Sequence, residues 1–139
     1  MSTDPLRDIR PATPSRTVKV YFDGGCRPNP GAMEVAAVVR GEAHVLPSIG
    51  HGSSFDAEWR ALLYAAGVAR SLGLTDFVLL GDAASVVAQA NGSAPCRGAA
   101  LAYREALLAL LPSDSRPRVR YIKRAQNLAG IALARLHDR

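Results

Sequence analysis

Hydrophobic and polar positions change period several times along this chain, and each change marks an element. Residues 17–22 (TVKVYF) alternate in the manner of a strand, which stops at Asp23-Gly24-Gly25. Pro28-Asn29-Pro30-Gly31 is turn chemistry. Residues 34–39 and 43–49 read as a second and third strand around a tight turn at Gly41-Glu42. Pro47 marks the third as an edge strand or the place of a bulge. Between 55 and 72 the period switches: Trp59, Leu62, Leu63 and Ala66 recur at three and four, an amphipathic helix. Ser53, Ser54 and Asp56 are N-cap candidates for it, and Gly73 stands where a C′ glycine belongs. Residues 76–80 (DFVLL) suit a strand buried on both faces. A short helix over 83–89, a longer one over 97–111 closed by Pro112, a fifth strand over 118–122 and a last helix over 126–136 complete the chain. The order β-β-β-α-β-α-α-β-α predicts an α/β fold, a mixed five-stranded sheet flanked by helices. Residues 1–16, polar and carrying Pro5, Pro11 and Pro14, read as a flexible N-terminal tail; residues 17–139 read as one domain.

Composition narrows the class. With 139 residues, 48% hydrophobic and 21% charged, the chain supports one packed core and not wholesale disorder. No apolar run approaches the roughly 18 residues of a membrane span, so a transmembrane protein is not expected. The first residues lack the apolar stretch of a secretory signal, so the expected location is cytoplasmic. Cys26 and Cys96 lack zinc-ligand spacing and are expected as reduced thiols. Net charge is +5 but unevenly spread: residues 116–139 alone sum to +6. A basic end on a near-neutral body suits a nucleic acid, or simply a solvated face.

Three acids stand out by position. Asp23 follows the first strand, Asp82 follows the fourth, and Glu58 lies in the first turn of the long helix. If those strands are neighbours, Asp23 and Asp82 emerge side by side, and the helix can add Glu58. Converging carboxylates are the hard ligands that Mg²⁺ or Mn²⁺ takes. Each acid taken singly reads first as a turn or cap residue.

Their flanks add a resemblance. Asp23-Gly24 followed at six residues by Asn29-Pro30-Gly31, then Ala57-Glu58-Trp59-Arg60-Ala61-Leu62, then Gly81-Asp82 with Val86, Gln89 and Gly92, and finally Tyr121 to Asn127, resemble in order the four motifs of type 1 ribonuclease H. The match spans residues 18–134. The resemblance implies the ribonuclease H-like fold and an endonuclease, monomeric and needing no protein partner, that cuts the RNA strand of RNA/DNA hybrids. It implies two divalent ions with substrate, about 4 Å apart, and products with 5′-phosphate and 3′-hydroxyl ends. Asp23 would bridge the ions, with Glu58 and Asp82 holding one or both. Substrate contacts fall by matching position on Gly24, Cys26, Asn29, Ser53, Ser54, Gln89, Lys123 and Arg124. Gln89 can instead cap its own helix, and Cys26 can be a plain loop residue.

The chain departs from that pattern at the fourth carboxylate. Counted from Asn127, the acid falls at Ile131; a helix slid by one turn puts Asn127 there, its carbonyl oxygen a weaker ligand. Asn127 is equally an N-cap of the last helix. An amide in the site implies a preference for Mn²⁺ over Mg²⁺. Two outcomes stay open, an active nuclease or a weakened, hybrid-binding domain. No histidine precedes the last helix, and His44, His51 and His137 read as surface or core residues. No basic protrusion occupies 92–102, which leaves the basic stretch 116–124 to grip the hybrid.

Overall fold

The computed structural model describes residues 17–112 and 117–137; the expected tail lies outside the described residues. The elements are β1 (Val18–Arg27), β2 (Gly31–Val39), β3 (Glu42–Leu46), β4 (His51–Gly52), α1 (Ser54–Ser71), β5 (Phe77–Gly81), α2 (Ala84–Ala90), α3 (Ala99–Leu110), β6 (Val119–Tyr121) and, after a 3₁₀ turn at Arg124–Gln126, α4 (Leu128–Leu136). The sheet runs β3-β2-β1-β5-β6, with the two-residue β4 pairing to β2 outside that path. β1 to β3 form antiparallel hairpins, and β5 and β6 add in parallel. The expected mixed sheet with helices on it is therefore present, with β4 as a sixth strand too short to show a period.

Local chemistry accounts for the boundaries. The β2–β3 turn lies at Arg40-Gly41, one residue before its expected place. Both residues have positive φ (52° and 80°), the backbone of a two-residue hairpin turn that matches strand twist. β3 stops at Leu46, ahead of Pro47, which cannot donate to a ladder. β1 runs five residues past its expected end because residues 22–27 still pair with β2 after β5 has left.

Alternation sorts side chains to two faces. Val20, Phe22, Val35 and Ala37 point to the face covered by α1, where Trp59, Leu62, Ala65 and Ala66 are fully buried with Leu79, Val86 and Leu107. α2 and α3 join on that side. The other face carries Tyr21, Ala36, Val38 and Val45 under Ala129 and Leu133 of α4.

Candidate active site

Asp23 stands in β1 where its parallel partner ends. The β1–β5 register pairs Tyr21 with Leu80, so continuing it by two residues sets Asp23 opposite Asp82. Gly81 precedes Asp82 because a Cβ there would lie 2.4 Å from the Phe22 ring. Glu58 arrives from α1, which crosses β1 at close range: a Cβ on Gly24 would lie 2.2 Å from the Ala57 carbonyl oxygen. That proximity lets the Gly24 N–H donate to Glu58 Oε1 at 2.7 Å. One oxygen from each of Asp23, Glu58 and Asp82 then lies within 4.8 Å of the others. They line a cleft of about 410 Å³ with Gly24, Gly25, Arg27, Glu34 and Arg124, and with Gly130, Ile131, Leu133 and Ala134 of α4.

The electrostatics of the cluster are unfavourable without a cation. Burial first, and the Asp82 charge second, push the Asp23 carboxyl up to about 7. Burial and the Asp23 charge push Glu58 up to about 8, against the opposing Gly24 hydrogen bond. Arg124, almost fully exposed, is the nearest compensation: its Nε lies 3.8 Å from Asp82 Oδ2. Converging hard oxygens that would otherwise hold protons fit a divalent cation.

Asn127 does not line the cleft. Fully buried, it donates from Nδ2 to the Phe22 carbonyl at 3.0 Å and accepts at Oδ1 from the Ala129 N–H at 3.1 Å. Both ends of the amide are engaged: it caps α4 and pins that helix to β1 immediately before Asp23. Of its two open readings the cap is the one the fold displays, and the argument for Mn²⁺ from an amide ligand goes with the other. α4 instead presents Gly130, where a Cβ would lie 3.3 Å from Asp23 Oδ2, and Ile131, which lines the cleft.

The remaining candidates divide. Asn29 Oδ1 accepts from the Ser54 N–H at 3.0 Å, tying the β1–β2 turn to the start of α1. Ser53 is the N-cap there, in a capping box with Asp56. Lys123 and Arg124 are exposed beyond β6. Gln89 neither caps its helix nor faces the cleft: it accepts from Trp59 Nε1 at 3.0 Å and donates to the Pro95 carbonyl at 3.3 Å. Trp59 is fully buried and stacked on Tyr103. Cys26 Sγ donates to the Pro28 and Gly52 carbonyls, binding the loop to β4. The sequence reading missed Glu34, buried and lining the same cleft. A lone acid opening an apolar strand was the signal, but its destination depends on the β1–β2 register.

Comparison with known proteins agrees with this geometry. A family model described as reverse transcriptase-like matches residues 21–137. Ribonuclease HI of Halobacterium salinarum is 34% identical over 96 residues, which are 66% of this chain and 48% of that protein. The chain thus spans about half the length of this curated relative. The crystal structure of ribonuclease H1 from the same halophilic archaeon superposes with a TM-score of 0.73 at 30% identity, over 88% of this chain and 99% of that one. LC11-RNase H1, solved in complex with an RNA/DNA hybrid, shares the fold at 23% identity, with a TM-score of 0.71 over 84% and 93% of the two chains. Since the family model spans nearly all the described fold, and a 30% identical ribonuclease H1 is matched over almost its full length, the chain belongs to the ribonuclease H1 family.

Proposed function

We propose that this protein hydrolyses the RNA strand of RNA/DNA hybrids at the three-carboxylate cleft. It would use Mg²⁺ or Mn²⁺, two ions with substrate, and leave 5′-phosphate and 3′-hydroxyl ends. The observation that carries the reading is the convergence of Asp23, Glu58 and Asp82 within 4.8 Å in a chain of this family. Divalent cations bound there supply charge neutralisation at the phosphate, an activated water and stabilisation of the leaving oxygen. Asp23, which faces both other acids, would bridge the ions, and Glu58 and Asp82 would hold one or both. The Gly24 N–H fixes the direction of Glu58.

Substrate contacts follow from exposure. Asn29 and Ser54 meet at the N-terminus of α1, where the helix dipole favours a phosphate. The Asn29 amide N–H₂ has no partner among the described residues and suits an RNA 2′-hydroxyl, the group that distinguishes RNA from DNA. Ser53 contributes through the cap it makes. Gly24, Cys26 and Gln89 are committed to internal hydrogen bonds and act by holding the site together. Lys123 and Arg124, with Arg120 on the edge strand β6, form a basic rim that takes the hybrid backbone. A monomeric state and a cytoplasmic location belong to the same reading.

Ile131 favours a second reading, a hybrid-binding domain with little catalysis, because it puts an apolar side chain on the α4 wall of the cleft. Cleavage of a labelled RNA/DNA hybrid with Mg²⁺ and then Mn²⁺ separates the two, with duplex DNA, duplex RNA and Asp82→Asn alongside. Hybrid-only cutting that falls at least about 100-fold in Asp82→Asn while binding persists supports the nuclease. Salt-sensitive binding without cutting by either ion supports the second reading.

A further inference from the structure

Glu34 is a buried carboxylate that the three-acid site does not use. It is 8% exposed, follows Met33 at the head of the buried run of β2, and lines the same cleft as Asp23, Glu58 and Asp82. Register explains its place. Glu34 pairs with Gly25 across the hairpin, and residues two apart on a strand share a face, so it stands on the Asp23 side of the sheet. A Cβ at position 25 would lie 3.2 Å from both Glu34 Cγ and Oε2, so the bare glycine leaves the carboxylate its room.

One oxygen of this group is engaged within the fold and the other is not. His137 Nε2, at the end of α4, lies 2.7 Å from Oε1. Oε2 accepts no hydrogen bond among the described residues. No side-chain oxygen among the described residues is both buried and unpartnered, so Oε2 opens to the solvent of the cleft. The α4 wall gives no acid, since Ile131 stands there.

We infer that Glu34 is a fourth carboxylate serving the cation site, a positioning residue that accepts from cation-bound water rather than joining the three-oxygen cluster. Its absence from the group within 4.8 Å places it at that longer range, and a Mg²⁺ that keeps several waters can be reached there. The inference rests on the cleft being a cation site, so its test separates the two ideas.

The experiment is Mn²⁺ binding to the 139-residue protein by calorimetry, without nucleic acid, for wild type and for Glu34→Gln, His137→Ala, Asp82→Asn and Glu34→Gln combined with Ile131→Asp. Glu34→Gln should weaken binding about tenfold without lowering the metal-free melting temperature. His137→Ala should bind at least as tightly as wild type, because the carboxylate stays. Ile131→Asp should restore most of the affinity lost in Glu34→Gln. Wild-type affinity in Glu34→Gln overturns the inference if Asp82→Asn loses binding. Equal weakening in Glu34→Gln and His137→Ala overturns it too, by showing that the ion pair only holds the fold. Unchanged binding in Asp82→Asn removes the cation site and the inference with it.

Discussion

The two faces of the sheet are built to different standards. Under α1 the buried residues form a large cluster centred on Trp59, Phe22, Leu62 and Leu79; under α4 the buried cluster is Ala36, Val38, Ala129 and Leu133. The first face is held by apolar area and close packing, which are distributed over many contacts. The second is small, and one amide, Asn127, fastens its helix to β1. The carboxylates lie between the two, with Glu58 brought by the heavily packed side and Asp23 directed to the light one. Rigidity on one side and polar fastenings on the other, Asn127 to β1 and His137 to Glu34 on β2, mean that stability and site geometry can be damaged separately.

The sharpest break is Trp59→Ala. It removes the largest buried side chain and strands the Gln89 carbonyl, and should cost about 3–5 kcal/mol in denaturant unfolding. A cost below about 1 kcal/mol would show that the α1 face is not the stabilising one. Asn127→Asp probes the other face. An aspartate keeps the cap acceptor but cannot donate to the Phe22 carbonyl, so about 1–3 kcal/mol should be lost, with hybrid cleavage reduced beyond what the unfolded fraction explains. Improved cation affinity in that variant would revive the ligand role instead.

The smallest effect concerns the seam itself. Asp23 and Glu58 hold protons in the fold up to about 7 and 8, well above their ordinary 3.8 and 4.5. The folded state therefore binds more protons than the unfolded chain between about pH 4 and 8. The contribution of these acids is fully present below that window and is lost as pH rises through it. In metal-free protein, wild type should lose stability relative to Glu58→Gln across those values. Mg²⁺ at ten times its dissociation constant should return about 1.4 kcal/mol at pH 8 and less at pH 5. Parallel melting curves for the two proteins at every pH would contradict this assignment of the charge.

These asymmetries explain what was legible in the sequence. Trp59, Leu62 and Ala66 announce α1 because a heavily packed helix must repeat its apolar face, and the flanks of Asp23, Glu58 and Asp82 announce the cluster. β1 was read short because Asp23-Gly24-Gly25 is turn composition; only the cover of α1 and the ladder to β2 keep it extended. The fate of Asn127 was undetermined because its donor's partner, the Phe22 carbonyl, is 105 residues away. Gln89 was misjudged for the same reason, since Trp59 lies on another helix. The place of Glu34 depends on the β1–β2 register, which pairs it with Gly25 of a strand that was read as ending at residue 22.

The hydrogen bond from Gly24 to Glu58 has a practical consequence. A backbone N–H 2.7 Å from a carboxylate oxygen senses the charge on that oxygen, so the Gly24 amide resonance is a reporter built into the site. Its chemical shift should follow proton loss from Glu58 and the arrival of a cation in one spectrum, with no label attached to the chemistry it watches.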